Sequence, residues 1–98
     1  MEKARGIVGS KMLGTGVSLI CGPSESRVAL LFSPPGDASA YYTISTDPHV
    51  SLDAGINVLP YAPVVISAEA YGDAVVRSWY AVASRGTLTI GFLETVVT

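Results

Sequence analysis

From residue 17 onward, apolar positions come in short runs that alternate with polar ones and are closed by glycine, proline or aspartate. Val17–Cys21 lies between Gly16 and Gly22-Pro23. In Ser26–Ser33, Val28, Leu30 and Phe32 fall on one face and Arg27, Ala29 and Leu31 on the other. That second face is hardly polar, so the run reads as a strand covered on both sides. Pro34-Pro35-Gly36-Asp37 then supplies two fixed φ angles followed by a residue that tolerates positive φ, which predicts a turn. Ser39–Thr46 alternates again and stops at Asp47-Pro48. Val50-Ser51-Leu52 reads as a short edge piece, Ile56–Leu59 as a short strand and Val64–Glu69 as another.

Ala70–Ala83 is alanine-rich and could be helical, but Gly72, the aromatics Trp79 and Tyr80 and the absence of a 3.6-residue stripe favour a strand over Val75–Ser84. Arg85-Gly86 marks a hairpin turn. Thr87–Glu94 has the cleanest alternation, with Leu88, Ile90 and Phe92 inside and Thr87, Thr89 and Gly91 outside; Val96-Val97 prolongs it after a bend. The prediction is an all-β fold, a small antiparallel β-sandwich or barrel of about seven to eight short strands. Residues 1–16 carry Gly6, Gly9, Gly14 and Gly16, a density that disfavours regular structure. They read as a flexible N-terminal arm, with at most a short strand at Ile7-Val8, ahead of a single sandwich domain over 17–98. Thr89–Val97 is β-prone and nearly uncharged, so its edges must be covered by the fold or by a second subunit.

Composition changes the picture in one respect. Charged residues make up 14% of the 98, against about 25% in typical soluble domains, and hydrophobic residues 49%. Mean hydropathy is +0.45, yet no apolar run approaches the ~20 residues of a membrane helix. A chain this short buries only about two-thirds of its unfolded surface, so burial against other protein would add to a marginal stability. The net charge of −2 gives no basic footprint for nucleic acid or anionic membrane. The amino terminus lacks the apolar core of a signal peptide, so synthesis in the cytoplasm is expected.

Candidate chemistry is sparse. Gly14-Thr15-Gly16 is followed by a probable strand where a phosphate loop needs a helix amino terminus, lacks the loop's lysine, and reads as a lead-in to that strand. Cys21 and His49 are the one pairing that could imitate a thiol nucleophile and its base. Cys21, however, sits in an apolar run, where cysteine acts as a small hydrophobe, and His49 follows a turn signal. Asp37, Asp47, Asp53 and Asp73 stand beside Gly36, Pro48, Gly55 and Gly72 as turn formers, without the spacing of a calcium loop. No catalytic residue, metal site or cofactor is expected. Arg27, Glu69, Arg77 and Glu94 read as cross-strand ion pairs or as register-fixing charges at a subunit contact. The adjacent aromatics Tyr41/Tyr42 and Trp79/Tyr80 point to opposite faces, so one of each pair is core and the other a candidate for an interface. With Ile7, Val8, Met12 and Leu13 of the arm, these four form the candidate interaction set.

The series Ser26-Arg27-Val28-Ala29-Leu30-Leu31-Phe32, Tyr41-Tyr42-Thr43-Ile44-Ser45 and Gly55-Ile56-Asn57-Val58, followed by Trp79-Tyr80-Ala81-Val82, Gly86-Thr87-Leu88-Thr89-Ile90 and Glu94, resembles small tailed-phage structural proteins. In that group an arginine-led strand, a Tyr-Ile-Ser strand, a glycine-led short strand and a final hairpin build a compact β-sandwich. Such proteins are commonly capsid decoration (cement) proteins or other head and tail components. The resemblance implies a non-enzymatic virion protein, made in the host cytoplasm, that stabilises a phage head by binding across capsid subunits. Its partners would be the major capsid protein or another virion protein and further copies of itself, a trimer being the first expectation from lattice symmetry. In this reading the arm lies on the shell and the sandwich faces outward. A carbohydrate-binding or adhesion module is the alternative.

Overall fold

A computed structural model describes residues 3–97, which fold into two four-stranded antiparallel sheets. The strands are β1 (Ala4–Leu13), β2 (Ser18–Cys21), β3 (Arg27–Phe32), β4 (Tyr42–Ser45), β5 (Ile56–Val58), β6 (Val64–Ser67), β7 (Trp79–Ala83) and β8 (Leu88–Val97). Sheet A has the order β1-β8-β3-β6 and sheet B the order β2-β7-β4-β5. Alternating side chains from both sheets meet in one core, with Leu13, Leu30, Phe32, Ile66, Leu88 and Ile90 from sheet A against Ile20, Tyr42, Ile44, Val58, Trp79 and Ala81 from sheet B. Phe32 and Trp79 touch across the layers with ring centroids 5.9 Å apart, tilted by 54°. Tyr42 spans the gap, and its hydroxyl donates to the Ser33 carbonyl at 2.5 Å. The expected β-sandwich is therefore observed. Two turn expectations are corrected. The turn after β3 closes over Asp37–Ala40, the Ala40 amide donating to the Asp37 carbonyl, with Gly36 not at positive φ. Arg85-Gly86, with Gly86 at φ +58°, carries the chain from β7 in sheet B to β8 in sheet A, which do not pair as a hairpin.

The N-terminal segment departs from expectation. Residues 4–13 are not an arm: they form β1, paired with β8 in unbroken register from Ala4↔Val97 to Leu13↔Leu88. The physical reason lies in the same glycines that argued against order. A Cβ on Gly9 would stand 2.5 Å from Phe92 Cζ, and one on Gly6 would stand 3.0 Å from Leu93 Cδ1. The β8 side chains lie over β1 because those positions are bare, so glycine here serves a close approach. Gly14–Gly16 is the connection to β2, as read from sequence, and Met1 and Glu2 lie outside the described residues. β8, whose edges needed cover, runs without a bend to Val97 and sits between β1 and β3.

A second departure concerns Arg27. The register between β3 and β8 shifts between Arg27 and Ala29, so Val28 is bulged out and Arg27 shares the inner face with Leu30 and Phe32. Arg27 is only 2% exposed. Its guanidinium donates to the carbonyls of Val75 (3.1 Å), Arg77 (3.0 Å) and Gly22 (2.7 Å) and to Glu94 Oε1 (2.8 Å). One side chain thus ties β3 to β8, to the end of β2 and to the turn preceding β7, and only its Nε lacks a partner. The Arg27–Glu94 pair belongs to the interior of the fold, not to a solvated face.

The third departure is the segment after β6, where no helix was expected. A single turn α1 (Ala68–Tyr71) leads into a 3-10 turn over Gly72–Val76. Ser67 caps it, its hydroxyl accepting from the Ala70 amide. Val75 enters the core, and the Ala74 carbonyl accepts from Trp79 Nε1 at 3.1 Å. Val50–Leu52 is not an edge strand: Ser51 bridges only to Ala54 within the β4–β5 loop. That loop ends at Gly55, whose φ of +152° and distance of 2.7 Å from its Cβ site to the Ile44 carbonyl exclude any side chain.

Candidate interaction surface

The register fixes which side chains face outward on each sheet. On sheet A these are Ala4, Gly6, Val8, Ser10 and Met12 of β1, opposite Val97, Thr95, Leu93, Gly91 and Thr89 of β8. They continue through Ala29 and Leu31 of β3 to Ser67 and Val65 of β6. Among the described residues no charged side chain stands on this face. An antiparallel sheet with one face in water normally turns polar side chains outward there, and solvated surfaces carry about a quarter to a third charged residues. Here the outward positions are aliphatic, small or hydroxyl-bearing. Val8 is 82% exposed, Met12 65% and Val65 54%, and Leu31 stands directly opposite Leu93 across the β3–β8 ladder.

Sheet B treats its own outer face differently. Thr43 and Val82 are paired neighbours that point away from the core, yet both are buried, as is Val50 of the loop 46–55. A Cβ at Gly55 would touch Thr43 Cγ2 and Val50 Cγ2 together, which places that loop over the outer face of sheet B. Beneath it the Thr43 hydroxyl bonds Asn57 Oδ1 at 2.7 Å. The outer face of sheet B is thus covered by the chain's own loop over β4 and β7, with Leu19 of β2 left exposed, whereas that of sheet A is open.

Of the sequence-derived interaction set, Val8 and Met12 lie on this open face. Ile7 is exposed on the opposite side of β1, beside Arg5 and Lys11. Three members are corrected: Leu13, Tyr42 and Trp79 are core residues, closed off by the facing sheet, and cannot touch a partner in this fold. Tyr41 and Tyr80 are half-buried, which agrees with one core member per aromatic pair. The face as a whole was missed because β1 was not read as a strand. The signal that could have found it is the uncharged set Thr89, Gly91, Leu93, Thr95 and Val97 continuing past Glu94.

The remaining candidates sort by environment. Cys21 faces the core, and burial pushes its thiol from the ordinary 9.0 up to about 11, the nearby Arg27 opposing that shift. His49 is exposed in the loop over the other side of sheet B, so the two are not brought together. Asp37 accepts from the Ser39 amide and hydroxyl, bonds that hold its carboxyl below the usual range; Asp47 accepts from the His49 amide. Both act as turn formers. Among the described residues no concave pocket and no cluster of three potential metal ligands is found, and no helix is long and apolar enough to cross a membrane. No protein-family model, no curated protein and no solved structure matches the chain.

Proposed function

We propose that this chain is a non-enzymatic virion structural protein, of the capsid decoration (cement) type, that acts by covering and joining other protein. The observation that carries the reading is the open outer face of sheet A, which turns no charge outward among the described residues and marks a chain that works assembled, not alone. Apolar area of this kind stabilises association at about 25 cal/mol per Å² removed from water. Exposed contiguous apolar faces on small proteins mark interaction sites. On a lattice the same modest contact repeats by symmetry and becomes avid. The resemblance of Ser26–Glu94 to tailed-phage structural proteins supplies the virion setting, and the low charge content accords with a surface that is largely covered.

The test is the protein content of purified particles from the phage that encodes the chain. A decoration role predicts the chain in a fixed ratio to the major capsid protein, released together with a loss of head stability. Its absence from particles overturns the virion reading, and its confinement to isolated tails overturns the decoration reading.

A further inference from the structure

We infer that the outer face of sheet A is covered by the same face of a second copy of this chain, giving a two-fold dimer of stacked sheets. The inference rests on the reading of this face as a contact surface and names its occupant.

Charge decides between occupants. A partner surface bearing Lys, Arg, Asp or Glu would have those charges desolvated against a face that offers no counter-charge, and desolvation of an unpaired ion strongly opposes association. The matching surface must therefore be uncharged and flat. The face of sheet A meets that description itself, and an isologous contact needs self-complementarity and nothing more. The alternative route to self-assembly, pairing the free edge of β1 with β1 of a second copy, is disfavoured by the sequence of that strand. Antiparallel pairing about Val8 sets Arg5 opposite Lys11 of the second copy, and like charges directly opposite destabilise a ladder. Basic side chains on an edge strand commonly serve to block edge pairing.

Area agrees. The four strands contain ten, ten, six and four residues. With strands about 4.8 Å apart and about 3.3 Å per residue, they present on the order of 480 Å² of flat sheet. Two copies together bury about 1,000 Å², the lower bound for a specific interface. The expected dimer is thus reversible and concentration-dependent. Sheets stack face to face at about 10 Å with aligned strands, which brings Val8, Met12, Leu31, Leu93 and Val65 of the two copies together. A stacked pair closes at two copies, whereas the lattice-based expectation was a trimer.

Sedimentation equilibrium over a concentration series reads this directly. The wild-type chain should move from monomer to dimer mass as concentration rises. Val8→Lys and Val65→Lys, at exposed positions where folding is not at stake, should each weaken dimerisation at least tenfold. Leu19→Lys, on the exposed edge of sheet B, should dimerise as the wild type does. A wild-type chain that stays monomeric, or one whose dimer survives both substitutions, overturns the inference. Particles that carry a chain monomeric in solution would still satisfy the decoration reading, so the two failures are distinguishable.

Discussion

At the scale of single residues, Arg27 shows how far a local pattern can mislead. Strict alternation puts it on the face with Ala29 and Leu31, and only the bulge at Val28 turns it inward. Nothing in the string of residues announces that bulge. What was legible was the oddity of an arginine heading a strand in a chain so poor in charge. Its role is to satisfy three carbonyls that the end of β2 and the turn before β7 leave unpaired, with Glu94 balancing the charge. Glu94→Ala, which leaves a buried guanidinium without its carboxylate, should lower unfolding free energy by about 3–5 kcal/mol. Arg27→Met combined with Glu94→Ala should cost less than the sum of the two single changes, while the three carbonyls left without a donor keep it well below the wild type. Urea denaturation of the singles and the double checks it, and simple additivity would show that the two side chains do not act as a pair.

Cys21 gives a pH signature at the same scale. The native thiol titrates near 11 and the unfolded one near 9.0, so the unfolded state releases its proton first as pH rises. The stability associated with the protonated thiol is complete below about pH 9 and is lost between 9 and 11. Thermal melts of the wild type should therefore fall more steeply across that window than those of Cys21→Ala. Equal slopes would mean that the thiol is solvated in the native state.

At the scale of elements, most strands were readable because proline, glycine and aspartate punctuate them. β2, β3, β4, β5, β6, β7 and the start of β8 all lie within the predicted runs. The short helical turns were not, because four and five residues are too few to show a period, and their one signal is the Ser67 cap. β1 was misread for a different reason. Glycine lowers intrinsic strand preference, and its use as a seat for a neighbour's side chain depends on a strand more than eighty residues away. That seat can be tested. Gly9→Ala puts a methyl where the Phe92 ring lies, 2.5 Å from its Cζ, so the ring must swing aside. Native-state hydrogen exchange should then show faster opening of the β1 amides bonded to β8, with β7 unchanged. Unaltered protection in β1 would show that Phe92 does not hold the strand.

At the scale of the whole molecule, the two outer faces tell the sandwich's asymmetry. On sheet B the loop that Gly55 terminates lies over Thr43 and Val82 from outside; on sheet A the long β1–β8 ladder keeps Arg5, Lys11 and Glu94 on its inner side and, among the described residues, turns no charge outward, the molecule measuring 44 × 24 × 20 Å. Composition signalled that some surface must be covered, and alternation signalled that β3 has no polar side. Neither could say which face, because that requires the register of β1 on β8. The outer face of sheet A is, on this reading, a contact surface. Met12 reports on it from within, since its thioether is exposed and readily oxidised. The most direct measurement is hydroxyl-radical footprinting over a concentration series, with Tyr61, 81% exposed in the β5–β6 loop, as internal reference. Met12 should become protected as concentration rises while Tyr61 does not. Met12 reacting at one constant rate relative to Tyr61, from dilute to concentrated solution, would contradict it.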